Sequence, residues 1–496
     1  MSHPTRMLAS LRSSQGPRTS RPTGTPALPD GFTVRLGDDT RATDGGRTLV
    51  GGSGTVLHLQ PRAQAMLDGG TLVARDPDSR SVARLLLDRG LADPVWPAAP
   101  HDDAAVDDVT VVVPVQDRPR LLARLLDALP PSLPVVVVDD GSADPGPTRA
   151  VAAEYGARLL RHETGRGPAA ARNTGLSLVD TDHVAFLDSD VVPTPGWLAL
   201  LRRHLDDPAV GVVGPRVLGA PPRPDDGWLC RYEAARSSLD LGPRPAPVQP
   251  LGRVAYLPSA ALLARRAALG HGFDEDLTVA EDVDLVWRVH ESGWRVRYEP
   301  GATVRHDHRT TLGPWLRRKA YYGSGAALLA ERHGSDVAPM VLNPWTAAVT
   351  LAVLAQRRWS APAVVLVCAA VTATLSRRLR AGDTPVRTAA ALTALGAASA
   401  LQQAASALTR HYWPLALLAA ARSPRARRAL AVAAVGDALL DFRRKRPDLD
   451  PVRFAVARRL DDVAYGTGLW AGAVRARSPR ALVPAFRGFP VRRGTS

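Results

Sequence analysis

The strongest constraint on the fold is an uninterrupted apolar run from Val109 to Pro114, which reads Val-Thr-Val-Val-Val-Pro. A strand with one face in water alternates apolar and polar residues. This run does not alternate, so it belongs in a sheet that is covered on both faces. A leucine-rich helical pattern follows from Pro119 to Leu129, and a second apolar run lies at Val135 to Val138. Strand, helix and strand at this spacing predict a right-handed βαβ unit and an α/β fold.

Acidic side chains follow the ends of the predicted strands. Asp139 and Asp140 come directly after the second run, and Asp188 and Asp190 follow a further apolar strand, Val184 to Leu187. In an open α/β sheet, ligands bind beyond the carboxyl ends of the strands. An isolated Asp-x-Asp is usually a turn, but at the end of a buried strand its carboxylates can hold Mg²⁺ or Mn²⁺ together with a diphosphate. The pattern therefore predicts a metal site at Asp188 and Asp190.

The segment from Gly167 to Gly175 predicts a helix whose small residues allow close approach to a ligand. In it, Arg172 and Asn173 offer donors to phosphate or ribose. A tightly packed helix with an ordinary surface arginine would show the same pattern. Pro114 and Asp117, where the first strand ends, are further candidates to contact a ligand at this edge of the sheet.

A later helix begins with three acids, Glu281, Asp282 and Asp284. The helix dipole favours acids in this position, so capping explains one or two of them. A free carboxylate here can also take the proton of an acceptor hydroxyl. A single base acting in one displacement predicts inversion at the carbon that is attacked, which in sugar transfer is the anomeric carbon.

Six short motifs follow one another along the chain. They read Val-Val-Val-Pro-Val at 111–115, Val-Val-Asp-Asp-Gly-Ser at 137–142, Ala-Arg-Asn-Thr-Gly at 171–175, Phe-Leu-Asp-Ser-Asp at 186–190, Gly-Phe-Asp-Glu at 272–275 and Glu-Asp-Val-Asp-Leu at 281–285. In this order they resemble the family-two inverting glycosyltransferases with the GT-A fold.

The resemblance implies roles for individual residues. Asp139 or Asp140 would contact the uracil and ribose of a UDP-sugar, and Asp188 and Asp190 would bind the metal and the donor. Asp282 would be the catalytic base. His306 matches the position where many relatives place a histidine near the metal and the diphosphate.

The arrangement of the whole chain resembles the glycosyltransferases of mycofactocin systems, because Leu-Pro-Asp-Gly-Phe at 28–32 and a small module precede the transferase core and an Arg-rich tail follows it. This implies transfer of β-1,4-linked glucose units from UDP-glucose to a peptide-derived redox cofactor. The alternative acceptor is a cell-wall or lipid-linked glycan at the inner membrane face. A catalytically silent scaffold is disfavoured because the metal pair and the base are all present. The Gln-x-x-Arg-Trp signature of processive polysaccharide synthases is absent after Asp282, which argues against unlimited chain extension.

Three tryptophans, Trp197, Trp228 and Trp294, are candidates to stack on a sugar ring of the acceptor, although tryptophans more often belong to the core.

The N-terminal part divides into a tail, residues 1–30, which is expected to be disordered, and a small module, residues 31–100. The module predicts two strands at 48–52 and 55–59, followed by two helices at 61–67 and 79–87. This winged-helix-like order suits a peptide-recognition unit or a packing domain. An acidic linker from His101 to Asp108 leads into the GT-A domain, assigned to residues 105–335.

Residues 336–496 predict an Arg- and Ala-rich helical region with three charge-free stretches, at 337–356, 359–376 and 388–409. Each approaches the length that crosses a bilayer. A spanning hairpin would carry an arginine cluster across the membrane, against the positive-inside bias. Interfacial helices are therefore favoured over true spans and over a soluble bundle.

Positive charge is concentrated at the C-terminal end. The chain has 63 basic and 48 acidic residues, a net charge of +15, and the segment from Arg422 to Ser496 has 17 basic and 6 acidic residues. An anionic membrane surface fits this charge, whereas nucleic acid is disfavoured because interleaved aromatic residues are missing. Solvated helix faces are the alternative. With two cysteines and no apolar signal segment at the N-terminus, the chain is expected in the cytoplasm, attached to the inner face of the cell membrane.

Overall fold

The computed structural model describes residues 26–96, 102–307, 311–379 and 384–486. Most of the tail expected to be disordered lies outside these ranges. So do His101, at the start of the predicted linker, and the arginines beyond residue 486.

The N-terminal module contains more strands than the sequence predicted. Its elements are β1 (Thr33–Leu36), β2 (Arg41–Thr43), β3 (Thr48–Val50), β4 (Val56–His58), α1 (Pro61–Ala65), β5 (Thr71–Val73), α2 (Pro77–Asp88) and β6 (Ala92–Pro94). They form two antiparallel three-stranded sheets, ordered β5-β1-β6 and β2-β3-β4. The predicted strands β3 and β4 and the two helices are present. The order of two strands followed by two helices was incomplete, because strands of three or four residues carry too little alternation to be recognised.

Arginine–aspartate pairs join this module to the central domain. Arg84 of α2 donates to both carboxylate oxygens of Asp207, at 2.6 and 2.7 Å, and both side chains are largely buried. Arg297 reaches Asp93 at 2.9 Å. Because an unpaired charge is costly in a buried interface, these pairs fix the module in one orientation.

The central domain alternates strands and helices. Its elements are β7 (Val109–Val115), α3 (Pro119–Asp127), β8 (Val135–Asp140), α4 (Gly146–Glu154), β9 (Arg158–His162), α5 (Pro168–Leu176), β10 (His183–Leu187), β11 (Val191–Pro193), α6 (Trp197–His204), β12 (Val210–Gly219), α7 (Trp228–Arg236), β13 (Ala246–Pro247), β14 (Ala261–Arg265), α8 (Glu281–Glu291) and β15 (Arg295–His306).

These strands form one mixed sheet, ordered β11-β15-β12-β14-β10-β7-β8-β9, with β13 paired to β15. Strands β10, β7, β8 and β9 are parallel, as the βαβ prediction required. Val111 and Val113 of β7 pack into the apolar cluster on one face of the sheet, and Val112 packs into the cluster on the other. The uninterrupted apolar run therefore marks a strand that is buried on both faces, and the α/β class is confirmed.

The C-terminal region is helical. Its elements are α9 (Leu312–His333), β16 (Val341–Leu342), α10 (Pro344–Ala355), α11 (Ser360–Arg378), α12 (Pro385–Ser406), a π-helical turn (Ala407–His411), α13 (Trp413–Arg422), α14 (Pro424–Lys445), α15 (Pro451–Arg475) and β17 (Ala485–Phe486). Within the described ranges, α11 alone is long and apolar enough to cross a membrane, and none of its apolar window is buried. Of the three charge-free stretches, the first forms a helix of 12 residues, which is too short to span a bilayer.

Helices α9 and α15 touch backbone to backbone. A Cβ atom on Gly468 would come within 1.7 Å of the carbonyl oxygen of Ala320, and one on Gly323 within 2.0 Å of the carbonyl oxygen of Tyr465. Only glycine allows this approach. The last long helix of the chain is thereby held against the helix that directly follows the sheet.

Buried charges connect the same helices. Asp461 and Asp462 of α15 have almost no exposed surface. Arg410 Nη1 lies 3.3 Å from Asp462 Oδ1, and Lys319 Nζ lies 3.7 Å from Asp461 Oδ2. Although burial raises the pKa of Asp461, Lys319 and Arg410 lower it to about 2. Because breaking a buried pair is strongly destabilising, the network fixes how α9, the π-helical turn and α15 meet.

Candidate active site

A cleft of about 560 Å³ opens beyond the carboxyl ends of β7, β8 and β10. The position matches the rule for ligand sites in α/β sheets. Eight of the residues singled out in the sequence line it, namely Pro114, Asp140, Arg172, Asp188, Asp190, Glu281, Asp282 and His306. Asp117, Asp139 and Asn173 lie near it but are not part of its lining.

Asp190 lies between a histidine and an arginine. His306 Nε2 is 3.5 Å from Asp190 Oδ1, and Arg118 Nη1 is 2.5 Å from Asp190 Oδ2. The sheet brings the histidine here because β11 and β15 are antiparallel, with Val191 opposite His306. Within the described part of the chain, no group of three or more His, Cys, Asp and Glu side chains is close enough to hold a metal without other ligands. A metal at Asp190 and His306 would therefore take part of its ligands from a bound diphosphate.

Arg172 of α5 links the Asp-x-Asp loop to the start of α8. Its Nη2 donates to Asp188 Oδ1 at 2.6 Å, and its Nη1 donates to Glu281 Oε1 at 3.0 Å. The guanidinium also lies over the Phe273 ring, 5.3 Å from the centroid. Arg172 is 2% exposed, so the alternative of an ordinary surface arginine is wrong. It is a buried residue that connects the Asp-x-Asp loop to α8.

Asp282 lies in the first turn of α8 and faces the cleft. Its Oδ2 accepts a hydrogen bond from the Ser259 backbone N–H at 3.1 Å, and its Oδ1 accepts one from the Val283 N–H at 2.8 Å. Burial raises the pKa of Asp282. Burial and the adjacent Asp282 also raise the pKa of Glu281, to about 7. The helix thus opens on two neighbouring carboxyl groups that resist ionising together.

The Asp-x-Asp loop and Asp282 are both hydrogen-bonded to the segment Ser259–Ala260. The Asp188 backbone N–H donates to the Ala260 carbonyl at 3.0 Å, and the Ser259 backbone N–H donates to the Asp282 carboxylate. This happens because β10 and β14 are antiparallel neighbours, with Leu187 opposite Ala261. The loop that carries Asp188 and Asp190 and the Asp282 carboxylate at the start of α8 are therefore on the same edge of the sheet.

Asp139 and Asp140 are both buried, with distinct partners. Asp139 accepts hydrogen bonds from the Ser142 N–H at 2.9 Å and from Arg161 at 2.8 Å. Asp140 pairs with His162 Nδ1 at 2.7 Å and accepts hydrogen bonds from the backbone N–H groups of residues 166 and 167. Asp140 thus orders the loop before α5, and it is the one of the two that borders the cleft.

Asn173 and Asp117 each organise a loop. Asn173 holds Phe273 through a pair of 2.8 Å hydrogen bonds, donating to its carbonyl and accepting from its N–H. A side chain on Gly272 would clash with this amide, since its Cβ would lie 2.4 Å from Asn173 Oδ1. Asp117 has a positive φ of 55° and accepts a hydrogen bond from the Ala143 N–H at 2.8 Å. Asn173 thus joins the motif at 171–175 to the motif at 272–275, and Asp117 joins the loops that follow the first two strands.

The cleft also contains residues that the sequence did not single out. They are Arg118, Tyr256, Arg318, Tyr321, Tyr322, Arg410 and Tyr465. Arg118 lies three residues after the end of the first strand, so its position was a usable signal. Arg410 and Tyr465 lie in the C-terminal helical region, and no local pattern connects them to the sheet. The three tryptophans proposed for ring stacking are absent from the lining, and Trp197 belongs to the core.

Comparison with known proteins agrees with this geometry. The model of "Glycosyl transferase family 2" matches residues 110–268. The "Pre-mycofactocin glycosyltransferase" of Mycobacterium tuberculosis (strain CDC 1551 / Oshkosh) is 44% identical over 471 residues, which are 93% of this chain and 99% of the relative.

The chain belongs to the family of the pre-mycofactocin glycosyltransferases. This confirms the resemblance seen in the six motifs, and with it the glycosyltransferase class and the GT-A core. A second relative, the N-acetylglucosaminyl-diphospho-decaprenol L-rhamnosyltransferase of the same organism, is 32% identical and covers 46% of this chain and 85% of its own length. Among solved structures, S. aureus TarS in complex with UDP-GlcNAc covers 75% of this chain and 92% of its own, at 17% identity and a TM-score of 0.37.

Proposed function

We propose that this member of the family transfers glucose from UDP-glucose to the peptide-derived precursor of mycofactocin, building a β-1,4-linked oligomer with inversion at the anomeric carbon. One observation carries the reaction type: the cleft holds Asp188, Asp190 and His306 together with a half-buried carboxylate, Asp282, on the same sheet edge. The acceptor follows the relative that is 44% identical over nearly its whole length.

The donor set of the cleft fits a divalent metal, Mg²⁺ or Mn²⁺. Carboxylate oxygens and an imidazole nitrogen are ligands that these ions accept, and Asp190 Oδ1 and His306 Nε2 are already neighbours. Asp190 and His306 would hold the ion, with Asp188 beside them. When bound, the metal neutralises the charge that develops on the leaving diphosphate.

Asp282 is proposed as the base that removes the proton of the acceptor hydroxyl. Two backbone N–H groups fix its carboxylate in place, and burial keeps its pKa raised, which makes it a stronger base than an exposed aspartate. The acceptor oxygen then bonds to the anomeric carbon while the bond to the diphosphate oxygen breaks. A single displacement of this kind inverts the configuration.

The remaining residues are proposed to bind the nucleotide and the sugar. Asp139 or Asp140 would contact the uracil and ribose, and Asp140 is the one of the two that lines the cleft. Pro114, near the end of β7, and Asp117, on the loop that follows, would lie beside the nucleotide. Arg172 and Asn173 would act chiefly through the groups that they hold, since both donate to protein acceptors.

For the acceptor, the small module of residues 31–100 is proposed to recognise the peptide part. A lipid-linked glycan is the second candidate, supported by the 32% identical relative named for a decaprenol-linked acceptor. Radiolabelled product from UDP-[¹⁴C]glucose separates the two. Label in a small aqueous peptide product supports the first acceptor, and label in an organic lipid extract supports the second.

We also propose that helices α10 to α14 rest on an anionic membrane surface at the cytoplasmic face. Large apolar side chains on these helices are more than half exposed, among them Leu351, Leu366, Leu418, Val432 and Val435. Exposed arginines stand at the ends of the same helices, namely Arg357, Arg358, Arg377, Arg422, Arg425 and Arg427. Apolar side chains with basic residues beside them are the pattern of interfacial helices on anionic lipid.

Asp190→Ala and Asp282→Asn test the reaction type. Each is expected to lower sugar transfer from UDP-glucose by at least about a thousandfold, because the first removes a metal ligand and the second removes the base. Asp276→Asn, on an exposed loop outside the cleft, is the matched control and should keep full activity. Activity that persists in either test variant would remove the role proposed for that residue.

A further inference from the structure

We infer that the wall of the cleft built by α9, the π-helical turn and α15 is the acceptor subsite, where Arg410 stacked on Tyr465, together with Tyr256, holds a neutral ring of the acceptor beside Asp282. The inference rests on the proposed function and names the part of the same cleft that the acceptor occupies.

The two ends of the cleft differ in chemistry. One end carries Asp188, Asp190, His306 and Arg118, which suit a metal and a diphosphate. The other end carries Arg410 and Tyr465 of the C-terminal helices, which line the cleft but not the adjoining pocket of about 380 Å³ around Arg118, Asp190 and His306. Since the donor's phosphates must occupy the first end, the hydroxyl that Asp282 deprotonates has to enter from the second.

Tyr256 connects Asp282 to this aromatic wall. Tyr256 lines the cleft together with Asp282 and Tyr465, and burial raises the pKa of its phenol. The phenol keeps its proton and donates to the Ser238 carbonyl at 3.2 Å. Tyr256 is therefore suited to contact a ring, and Asp282 remains the base.

Arg410 and Tyr465 form a preset stack. The guanidinium lies 3.8 Å from the centroid of the Tyr465 ring. The carboxylates of Asp461 and Asp462 neutralise the charge of this guanidinium, with their Oδ1 atoms 3.6 and 3.3 Å from Arg410 Nη1. The backbones that carry the two side chains are in direct contact, because a Cβ on Gly466 would lie 2.0 Å from the Arg410 carbonyl oxygen. A rigid stack with balanced charge favours the face of a neutral ring and not an anion.

The π-helical turn supplies the position of Arg410. Such turns are rare, and they frequently occur at functional sites because they rotate a side chain out of the regular helical spacing. Here the turn follows α12, pairs Arg410 with α15, and places the guanidinium in the lining of the cleft.

Two probes separate ring recognition from sugar recognition. The first is p-nitrophenyl β-glucoside, which carries an aromatic ring and a pyranose, and the second is methyl β-glucoside, which carries the pyranose alone. Transfer from UDP-glucose to each is measured with the full-length protein, together with binding of UDP in the presence of Mn²⁺ and hydrolysis of UDP-glucose without acceptor. The wild-type protein is expected to prefer the aromatic glucoside.

Tyr465→Leu and Arg410→Lys test the stack. Both are expected to raise the KM for p-nitrophenyl β-glucoside by roughly tenfold and to reduce its advantage over methyl β-glucoside, with UDP binding unchanged. Arg410→Lys keeps the positive charge that pairs with Asp461 and Asp462, so we expect this variant to fold. Tyr155→Leu, an exposed tyrosine outside the cleft lining, is the matched control.

Four results would overturn the inference: an unchanged KM in both variants, an equal loss of UDP binding, no wild-type preference for the aromatic glucoside, or wild-type transfer to neither probe. If UDP binds and UDP-glucose is hydrolysed without transfer, this inference alone fails. If UDP does not bind and nothing is hydrolysed, the proposed function fails with it.

Discussion

Arg172 Nη2 lies 2.6 Å from Asp188 Oδ1, and this contact joins the helix after the third parallel strand to the loop that is proposed to hold the donor. The same guanidinium reaches Glu281, at the start of the helix that carries Asp282. The positions of the donor loop and the base therefore depend on one buried side chain.

Arg172→Lys should reveal this dependence. An ammonium cannot reproduce two divergent guanidinium bonds, so one carboxylate loses its partner. We expect kcat/KM to fall by about 10- to 100-fold, and the free energy of unfolding to fall by about 1–3 kcal/mol. Arg166→Lys, on the exposed pair with Glu275, is the control and should change neither quantity appreciably. Unchanged kinetics in Arg172→Lys would show that the bridge is not needed for the reaction.

Chelation should abolish transfer, and Mn²⁺ or Mg²⁺ should restore it. In a metal titration, His306→Ala is expected to need roughly tenfold more metal for half-maximal activity, or about 1.4 kcal/mol of lost binding. His271→Ala, outside the cleft lining, controls for loss of a histidine. Equal metal requirements in wild type and His306→Ala would contradict the proposed ligand.

The activity should depend on pH through the carboxyl group of Asp282. Because the base must be ionised, kcat/KM falls as the pH drops below the raised pKa of Asp282. Glu281 has a pKa of about 7, so it still carries its proton in the acid range where Asp282 ionises, and Glu281→Gln keeps this neighbour neutral. The acid limb of the pH profile should therefore stay in place in Glu281→Gln.

Glu291→Gln, an exposed change at the far end of the same helix, should leave the pH profile in place. An acid limb that moves in Glu281→Gln but not in Glu291→Gln would contradict the proposal that Asp282 ionises before Glu281.

Gly468→Ala should separate packing from helix propensity. The added methyl group collides with the Ala320 carbonyl, so we expect a loss of about 1–3 kcal/mol in unfolding free energy and a higher acceptor KM as α15 moves away from the cleft. Gly436→Ala lies in α14 with open space around its Cβ position, and it should stabilise the protein by up to about 1 kcal/mol. Urea unfolding of both variants measures the difference, and equal effects would mean that the helices are not in contact.

Leu366→Glu should weaken binding to anionic vesicles. Leu366 is 73% exposed on α11, so a charge there opposes insertion into the interface without disturbing a core. Cosedimentation with phosphatidylglycerol vesicles gives the readout. Val452→Glu, equally exposed but on α15, is the control. Binding that is insensitive to Leu366→Glu, or equally reduced by both variants, would rule out the proposed surface.

Within the sheet, the sequence was sufficient where the physical cause is local. A continuous apolar run has to be buried on both faces, and β7 packs into one apolar cluster through Val111 and into the other through Val112. The carboxyl ends of parallel strands must share an edge, which brings Asp140 and Asp188 into one cleft. The histidine followed from family resemblance and lies beside Asp190 because β15 returns antiparallel to β11.

The sequence was weaker where the cause is contact between distant segments. Asn173 suggested a phosphate donor, yet its amide is used to hold Phe273. The aromatic residues of the cleft were sought among tryptophans and are tyrosines instead. The sequence alone cannot tell an aromatic residue of the core from one that lines a binding site, because both have the same local sequence pattern.

The amino-acid order alone determined the α/β core, the strand ends that carry the acids, and the family of the chain, because hydrophobic periodicity and motif spacing act over a few residues. Only the tertiary structure decided that Arg410 and Tyr465 close the cleft. Their position depends on glycine contacts between α9 and α15, which are more than a hundred residues apart, and on the buried charges of Asp461 and Asp462, which pair with Arg410 in a different helical segment. Contacts between such distant segments leave no periodic signal in the chain.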